Sequence, residues 1–177
     1  MRQSFRIAPG KAGDFTLRRR HAAAASDVAP GRRRHPARRH YATRERSEEA
    51  HLSPEPGARD LSGSWRAHLA EGDLHQRFVE RAFDDAAWDD IAVPGHWRSS
   101  PGFTDSDGPV LYRHRFAGQP LDGDRRAFVV LDGLFYFGDV WLDADYLGAT
   151  EGYFFPHEFE ITDPLRRHDE HALAVEV

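Results

Sequence analysis

Adjacent carboxylates are the first residues of this sequence that could do acid–base chemistry, and they stand as Asp84-Asp85 and Asp89-Asp90. A positioned pair of carboxyl groups can serve as general acid and general base. Short runs of like charge outside a periodic element are, however, usually solvated. We therefore interpret both pairs as solvated loop acids and assign no catalytic residue to the chain.

Histidine is the second residue type that could take part in chemistry, because imidazole is a common metal ligand. His168 and His171 enclose two acids, but their order and spacing differ from the His-Glu-x-x-His zinc helix. The sequence contains no His-x-His pair and no cysteine, so a cupin-type pair and a thiolate site are both excluded. With no Walker loop and no Gly-x-Gly-x-x-Gly, the sequence predicts neither a metal nor a nucleotide cofactor.

Aromatic rings are the third group, because they pack on flat apolar surfaces that include the C–H face of a pyranose. Trp65 and Trp141 lie inside predicted strands and are assigned to the core. Trp97 and Tyr153 stand beside turn residues and are candidates for the edge of a cleft, with core filling as the alternative. His96, next to Trp97, borders the same loop.

The charge of the chain divides it into two parts. Up to Glu55 there are 13 basic and 6 acidic residues, and after it 11 basic and 23 acidic. The first part is rich in Arg, Ala, His and Pro and has no sustained apolar period, so residues 1–57 are predicted to be a disordered basic tail and linker. Residues 18–40 could bind nucleic acid or another anion, but with one nearby tyrosine and no surrounding fold a solvated tail is favoured.

Short alternating apolar runs fill the second part, and they predict strands. Val110, Tyr112 and Phe116 share one face of a strand, as do Leu173, Val175 and Val177. Turn residues separate the runs, and the one helix-like piece is a single turn at 84–88. Residues 58–177 are therefore predicted to be an all-β jelly-roll sandwich. Because the sequence ends inside an alternating strand, we expect a fragment of a longer protein.

The order of motifs after residue 60 resembles the N-terminal sugar-binding domain of family-two glycoside hydrolases, the group of β-galactosidases, β-glucuronidases and β-mannosidases. No single motif is specific, but all stand in the same order over about two-thirds of the chain. The segments that carry the resemblance are LSGSW (61–65), FDDAAWDDIAVPGHW (83–97), GPVLYRHRF (108–116), LDGL (131–134), VWLD (140–143), GYFFPHEFEIT (152–162) and HALAVEV (171–177).

This resemblance implies a galactose-binding-domain-like fold and carbohydrate as the partner. It also implies that the two catalytic carboxyl groups sit on a separate (β/α)₈ barrel, which needs about 250 residues of its own. The family usually has Asn-Gly where Asp143-Ala144 stands here. In some members that Asn reaches the sugar, and Asp143 could accept hydroxyl hydrogen bonds but could not donate an amide one.

The chain is thus interpreted as the carbohydrate-binding or cleft-shaping domain of a hydrolase, inactive without its catalytic barrel. Two alternatives stay open: a free-standing carbohydrate-binding module, and an anion- or nucleic-acid-binding protein that works through the basic tail. The absence of cysteine is consistent with a cytoplasmic location. No apolar run reaches the length of a membrane span.

Overall fold

The computed structural model describes residues 5–10, 57–152 and 154–177, and ten strands account for most of them. The segments alternate apolar and polar residues and end at Gly, Pro or Asp, as strands joined by tight turns require. The strands are β1 (Phe5–Gly10), β2 (Arg59–Asp60), β3 (Gly63–Leu69), β4 (Asp89–Val93), β5 (Val110–Ala117), β6 (Arg126–Leu131), β7 (Phe137–Leu142), β8 (Asp145–Glu151), β9 (His157–Glu160) and β10 (Glu170–Glu176).

The strands form two sheets in which every recorded pairing is antiparallel. The smaller sheet has the order β2-β1-β6-β9, and the larger has the order β4-β3-β5-β10-β7-β8. In the larger sheet β10 lies between β5 and β7, although it comes last along the chain. The predicted all-β sandwich is therefore confirmed.

The core lies between the sheets, and the predicted faces point into it. Val110, Tyr112 and Phe116 are buried in one cluster with Leu173 and Val175. The two groups belong to β5 and β10, which pair directly through Val175 with Tyr112 and His171 with Phe116. Alternation in these two strands therefore identified the inner face of the larger sheet correctly.

The outer face of the larger sheet is covered as well, by the segment between β3 and β4. Phe78 and Trp88 from that segment are buried against Leu111 of β5 and Ala174 of β10. The segment contains a one-turn helix, α1 (Leu74–Arg77), and a turn closed by the Trp88 N–H bond to the Asp85 carbonyl at 3.1 Å. Because both faces are covered, β5 and β10 are buried almost continuously.

The prediction that residues 1–57 are wholly a disordered tail is wrong for residues 5–10. These six residues are β1, an interior strand of the smaller sheet, and Ile7 is 8% exposed in the core. The boundary at residue 58 therefore leaves out a strand of the sandwich. Alternation over six residues inside a polar Arg-rich context was too short a signal to identify it. The remainder of the predicted tail, residues 1–4 and 11–56, lies outside the described residues.

Helical structure in the described residues is short. Beside α1 there is α2 (Thr162–Leu165), and two 3₁₀ turns follow β4 at Trp97–Ser99 and Pro101–Phe103. The single turn predicted at 84–88 is present, but α1 was not predicted. Among the described residues no helix has the length and apolar character needed to cross a bilayer.

Candidate functional site

An apolar cavity of about 70 Å³ opens at one end of the sandwich, between the two sheets. Strands from both sheets and the loops after β4 and β6 contribute to its wall. None of the described residues that line it has a carboxyl group in its side chain. The aromatic residues in the wall are Phe5, Trp65, His96, Trp97, Tyr112 and Phe135.

Trp65 forms the inner wall of this cavity and is fixed on three sides. Its indole N–H donates to the Leu61 carbonyl at 2.8 Å, so its polar atom is satisfied away from the cavity. The Phe5 ring lies 5.3 Å away, and the His114 ring stacks on the indole at 4.9 Å. Burial, aided by the Arg59 charge, lowers the pKa of His114, so the stacked imidazole stays neutral at physiological pH.

Trp97 forms the outer wall, and a tight turn places it there. Gly95 precedes the turn, and a Cβ at that position would lie 2.6 Å from the Ala92 carbonyl oxygen, so only glycine fits. The His96 imidazole accepts a bond from the Arg98 N–H at 3.2 Å, and its ring lies 4.4 Å from the Trp97 ring. Arg98 in turn donates to the Ser106 carbonyl at 3.1 Å, which ties this turn to the next loop.

Tyr112 supplies the phenol of the cavity wall. Burial raises the pKa of Tyr112 far above its ordinary value, because the phenolate would be poorly solvated there. The group therefore remains a neutral hydroxyl that can donate or accept one hydrogen bond. With rings and so few polar groups in its wall, the cavity suits an apolar surface rather than a charge.

Five exposed aromatic residues lie at the start of β7 and on the loops that precede β7 and β9, and we call them the aromatic rim: Phe135, Tyr136, Phe137, Phe154 and Phe155. Their exposure ranges from 42% for Tyr136 to 67% for Phe154. Phe135 belongs both to the rim and to the cavity wall. Scattered exposed rings are ordinary, but five on neighbouring loops mark a surface suited to an interaction.

The two loops of the rim are held together by main-chain and ring contacts. The Gly152 N–H donates to the Tyr136 carbonyl at 2.9 Å. Gly152 has a φ of +86°, and a Cβ there would lie 3.4 Å from the Phe155 ring. The His157 imidazole lies 2.9 Å from the Gly152 carbonyl and packs against Phe155. These contacts therefore fix the two segments of the rim relative to each other.

The structure brings together two of the four residues that the sequence singled out. Trp97 and His96 both line the cavity. Tyr153 lies outside the described residues. Asp143 lies in the β7–β8 turn, near the opposite end of β10 from the cavity residues Val175 and Val177.

The carboxylate of Asp143 forms its contacts within the protein. One carboxylate oxygen accepts the Ala172 N–H at 2.8 Å, and the other lies 2.5 Å from Nδ1 of His171. The side chains of Asp143 and His171 are 6% and 0% exposed. Asp143 and Ala144 have φ values of +53° and +75°, so the turn adopts the left-handed backbone that Asn-Gly would favour. This geometry gives Asp143 a role in fixing the turn to β10.

The interpretation of Asp85 as a solvated loop acid is wrong. Its side chain is 11% exposed, and it accepts a bond from Nε of the fully buried Arg113 at 2.7 Å. Arg115 lies 3.4 Å from its other oxygen. Burial alone would raise the pKa of Asp85, but the bond and charge of Arg113, with Arg115, outweigh it and lower the pKa. The other acids of the two pairs, Asp84, Asp89 and Asp90, are exposed as expected, but Asp89 and Asp90 lie in strand β4 and not in a loop.

The aromatic rim was also missed, although the sequence carries a signal for it. Phe135, Tyr136 and Phe137 stand consecutively after an Asp-Gly turn, and an alternating strand can bury only every second residue of such a run. Phe154 and Phe155 present the same pattern. Consecutive aromatics beside a turn therefore indicate exposed rings.

Together these features define a galactose-binding-like β-sandwich: two antiparallel sheets, with a ring-lined cavity and aromatic loops at one end. Residues 105–177 match the family model described as glycosyl hydrolase 2 galactose-binding domain-like. This part of the chain is therefore similar to the galactose-binding-like domain of glycoside hydrolase family 2, which is the resemblance that the motifs indicated.

Relatives and solved structures agree with this assignment. The chain is 29% identical over 168 residues to a β-galactosidase of Halalkalibacterium halodurans, with 80% of this chain and 16% of that protein covered. It is 28% identical over 180 residues to a β-galactosidase large subunit of Latilactobacillus sakei, covering 81% of this chain and 28% of that protein. A β-glucuronidase of Bifidobacterium dentium, solved with coumarin-3-O-glucuronide, has a TM-score of 0.56 at 25% identity, over 66% of this chain and 19% of that one. The chain thus spans less than a third of each of these proteins.

Proposed function

We propose that this sandwich is the carbohydrate-recognition and cleft-shaping domain of a glycoside hydrolase, and that hydrolysis of the O-glycosidic bond requires a separate catalytic barrel. The observation that carries the proposal is the ring-lined cavity beside the aromatic rim. Rings such as Trp97 and Phe135 offer flat apolar surface to the C–H face of a sugar. The resemblance to the galactose-binding-like domain of family 2 supplies the class of substrate.

The size of the cavity favours shaping a cleft over enclosing a sugar. Sites that bury most of a small ligand usually measure about 300–1,000 Å³, whereas this cavity measures about 70 Å³. A hexose also carries hydroxyl groups that need partners, and the wall offers mainly rings with the Tyr112 phenol and the His96 imidazole. Trp97, His96 and the rim are therefore proposed as one side of a cleft that another domain completes. Tyr153 remains a prediction for the same edge.

The absence of Asp and Glu side chains from the described cavity wall supports the view that the chemistry resides elsewhere. A retaining glycosidase needs two carboxyl groups about 5–5.5 Å apart, and an inverting one needs them about 6.5–9.5 Å apart. Asp85 cannot serve, because Arg113 and Arg115 already engage both of its oxygens.

Two measurements on the purified chain test the proposal. Incubation with nitrophenyl β-galactoside and β-glucuronide should release no nitrophenol above the uncatalysed rate, and robust turnover would refute the proposal. Calorimetry with methyl β-galactoside and methyl β-glucuronide should give weak binding, or none, because half of the cleft is missing.

Calorimetry also separates this function from that of a free-standing carbohydrate-binding module. A self-sufficient module would bind one of these sugars in the chain alone and would lose at least about tenfold in affinity, or about 1.4 kcal/mol, on Trp97→Ala. Tyr146→Ala is the matched control, since Tyr146 is 58% exposed and belongs to neither the cavity wall nor the rim. A cytoplasmic location, expected from the cysteine-free sequence, is part of the proposal, and cell fractionation tests it.

A further inference from the structure

The apolar cavity is too small to enclose a hexose, but its size matches one six-membered ring. It measures about 70 Å³, and because a water molecule needs about 10–15 Å³ of such space, it holds about five waters. Five waters occupy about 150 Å³ of liquid, and an apolar cavity of about 150 Å³ binds benzene. An occupant the size of a single ring therefore fits.

The side chains of the cavity wall offer an apolar surface and no charged partner. Asp, Glu, Lys and Arg side chains are absent from the described residues that line it. Phe5 and Trp65 form a pair of rings on one side, with centroids 5.3 Å apart, and Leu134 and Val175 add aliphatic surface. A charged group would lose its hydration here without meeting a charged side chain, so the wall favours an uncharged occupant.

The hydroxyl of Tyr112 is the exception in this apolar wall. Tyr112 is only 6% exposed, and no hydrogen-bond partner for its hydroxyl is found among the described residues. The hydroxyl is not sealed in the core, because the fully buried side-chain atoms without a partner in that part of the chain belong to Arg113 and His171. Buried polar groups are normally hydrogen-bonded. A hydroxyl that can donate and accept therefore stands open to the cavity and lacks a partner.

The other polar side chain of the wall, His96, lies at the mouth of the cavity. It is exposed, whereas Tyr112 is buried. Its Nδ1 accepts the Arg98 N–H at 3.2 Å, so the neutral imidazole carries its proton on Nε2 and can donate there. The cavity thus combines an apolar interior that holds one hydroxyl with a mouth that holds a second polar group.

We propose that this cavity binds an uncharged aromatic ring with one oxygen substituent, held by packing against the wall and by a hydrogen bond to the Tyr112 hydroxyl. In a glycoside this ring is the aglycone, and the sugar lies outside the cavity, over the aromatic rim. Phe135 belongs to both surfaces and joins them. The assignment of the ring as an aglycone rests on the proposed function, to which it adds a preference for aryl glycosides.

The four tryptophans of the chain provide the readout for a test. Trp65 and Trp97 line the cavity, whereas Trp88 and Trp141 belong to the cluster on the outer face of the larger sheet. The ¹⁵N-labelled chain is titrated with phenol, and the four indole N–H signals are followed by NMR. We expect saturable shifts of the Trp65 and Trp97 signals and unchanged signals of Trp88 and Trp141.

Tyr112→Phe removes the hydroxyl and keeps the ring in place. It should weaken phenol binding about two- to tenfold, the range of one neutral hydrogen bond, and should leave the binding of benzene unchanged, because benzene has no oxygen. Trp97→Ala removes part of the wall and should weaken the binding of both ligands. Tyr146→Phe is the matched control and should change neither, since Tyr146 is 58% exposed and lies outside the cavity wall.

A pair of glycosides then connects the ring site to the sugar. 4-Hydroxyphenyl β-galactoside should bind at least tenfold more tightly than methyl β-galactoside, because the first alone carries an aromatic ring. Equal affinity for the two glycosides would overturn the proposal. So would phenol shifts that are absent or spread over all four indoles, or an unchanged phenol affinity in Tyr112→Phe.

These outcomes are separate from a failure of the proposed function. If the ring site fails, the cleft-shaping role is still judged by the hydrolysis assay on nitrophenyl glycosides. If the chain alone hydrolyses those glycosides, the proposed function is refuted, whereas specific phenol shifts that depend on the Tyr112 hydroxyl would still support the ring site.

Discussion

Two regions of this molecule reverse the usual distribution of side chains. The aromatic rim exposes five rings, of which Phe154 is 67% and Phe137 is 61% exposed. On the outer face of β5, beneath the segment that holds α1, a charge cluster of Asp85, Arg113 and Arg115 is partly or wholly buried. Rings usually lie inside and charges outside, so each region needs its own physical reason.

The charge cluster is accounted for by partners within the fold. Arg113 donates to Asp85 and to the Phe78 carbonyl, and the Phe83 ring faces its guanidinium at 5.3 Å. Among the described residues no hydrogen-bond partner is found for its remaining terminal nitrogen, Nη2. The cluster holds the covering segment on the sheet, because Asp85 and the Phe78 carbonyl both belong to that segment. The rings of the rim, in contrast, remain 42% to 67% exposed, and a group of exposed rings of this kind is typical of an interaction surface. The charge cluster therefore stabilises the fold, whereas for the aromatic rim recognition remains the proposed role.

The largest expected effect comes from removing the acid of the charge cluster. Asp85→Ala leaves the guanidinium of Arg113 buried without its countercharge, and loss of one partner of a buried ion pair costs about 3–5 kcal/mol. Urea unfolding should report a loss of that size in the free energy of unfolding. Asp107→Ala, in the exposed pair with Arg98, is the control and should cost less than about 1 kcal/mol. A loss at Asp85 no larger than at Asp107 would contradict the structural role of the cluster.

Acid should weaken the same cluster in the wild-type protein. Because the folded protein holds the pKa of Asp85 below its ordinary value of 3.8, the stability that its ionisation contributes is fully present above that value. It is lost as the pH falls through the lower folded pKa. Asp85→Asn removes this contribution, so its midpoint of thermal unfolding should fall less between pH 5 and pH 2.5 than that of the wild type. Glu160, whose pKa is lowered by the bond from Arg126, keeps some acid dependence in both proteins. If the midpoints of the two proteins fell equally over this pH range, the ionisation of Asp85 would contribute nothing to the pH dependence of stability.

A smaller effect is expected in the β7–β8 turn, which lies at the opposite end of β10 from the cavity. Ala144 has a φ of +75°, a conformation that costs a residue with a Cβ about 1 kcal/mol. Ala144→Gly should therefore raise the free energy of unfolding by about 1 kcal/mol, reduced by the greater entropy of glycine in the unfolded chain. Ala149→Gly is the control, since Ala149 is an exposed position of β8 with no positive φ, and it should destabilise. A destabilised Ala144→Gly variant would mean that the turn differs from the one described.

The smallest effect on stability is expected at the rim. Phe154→Ser with Phe155→Ser should change the free energy of unfolding by less than about 1 kcal/mol, because both rings are more than half exposed and little of their burial energy is realised. Calorimetric or chemical unfolding measures this. A loss of several kcal/mol would show that the rings are structural and would remove the contrast with the charge cluster.

Much of the sandwich could be predicted, since strand alternation is a local property. Val110, Tyr112 and Phe116 repeat with the period of a strand, and the structure buries all three on one face. The cleft edge could be predicted in part, since Trp97 and His96 stand beside a Val-Pro-Gly turn and do line the cavity. Asp143 could not be placed from its neighbours in sequence, because its partners His171 and Ala172 lie 28 and 29 positions away.

The sequence by itself determined the alternating strands after residue 60, their inward faces, the turns between them and the resemblance to a family, because each rests on residues that are close along the chain. The tertiary structure alone decided that Phe5–Gly10 completes the smaller sheet, that Asp85 is buried against Arg113 and that the five rings of the aromatic rim lie on neighbouring segments. Each of these depends on which distant segment lies opposite, and a charge or a ring has the same local pattern whether solvent or protein faces it. Whether such a side chain is buried is therefore decided by tertiary packing and not by its neighbours along the chain.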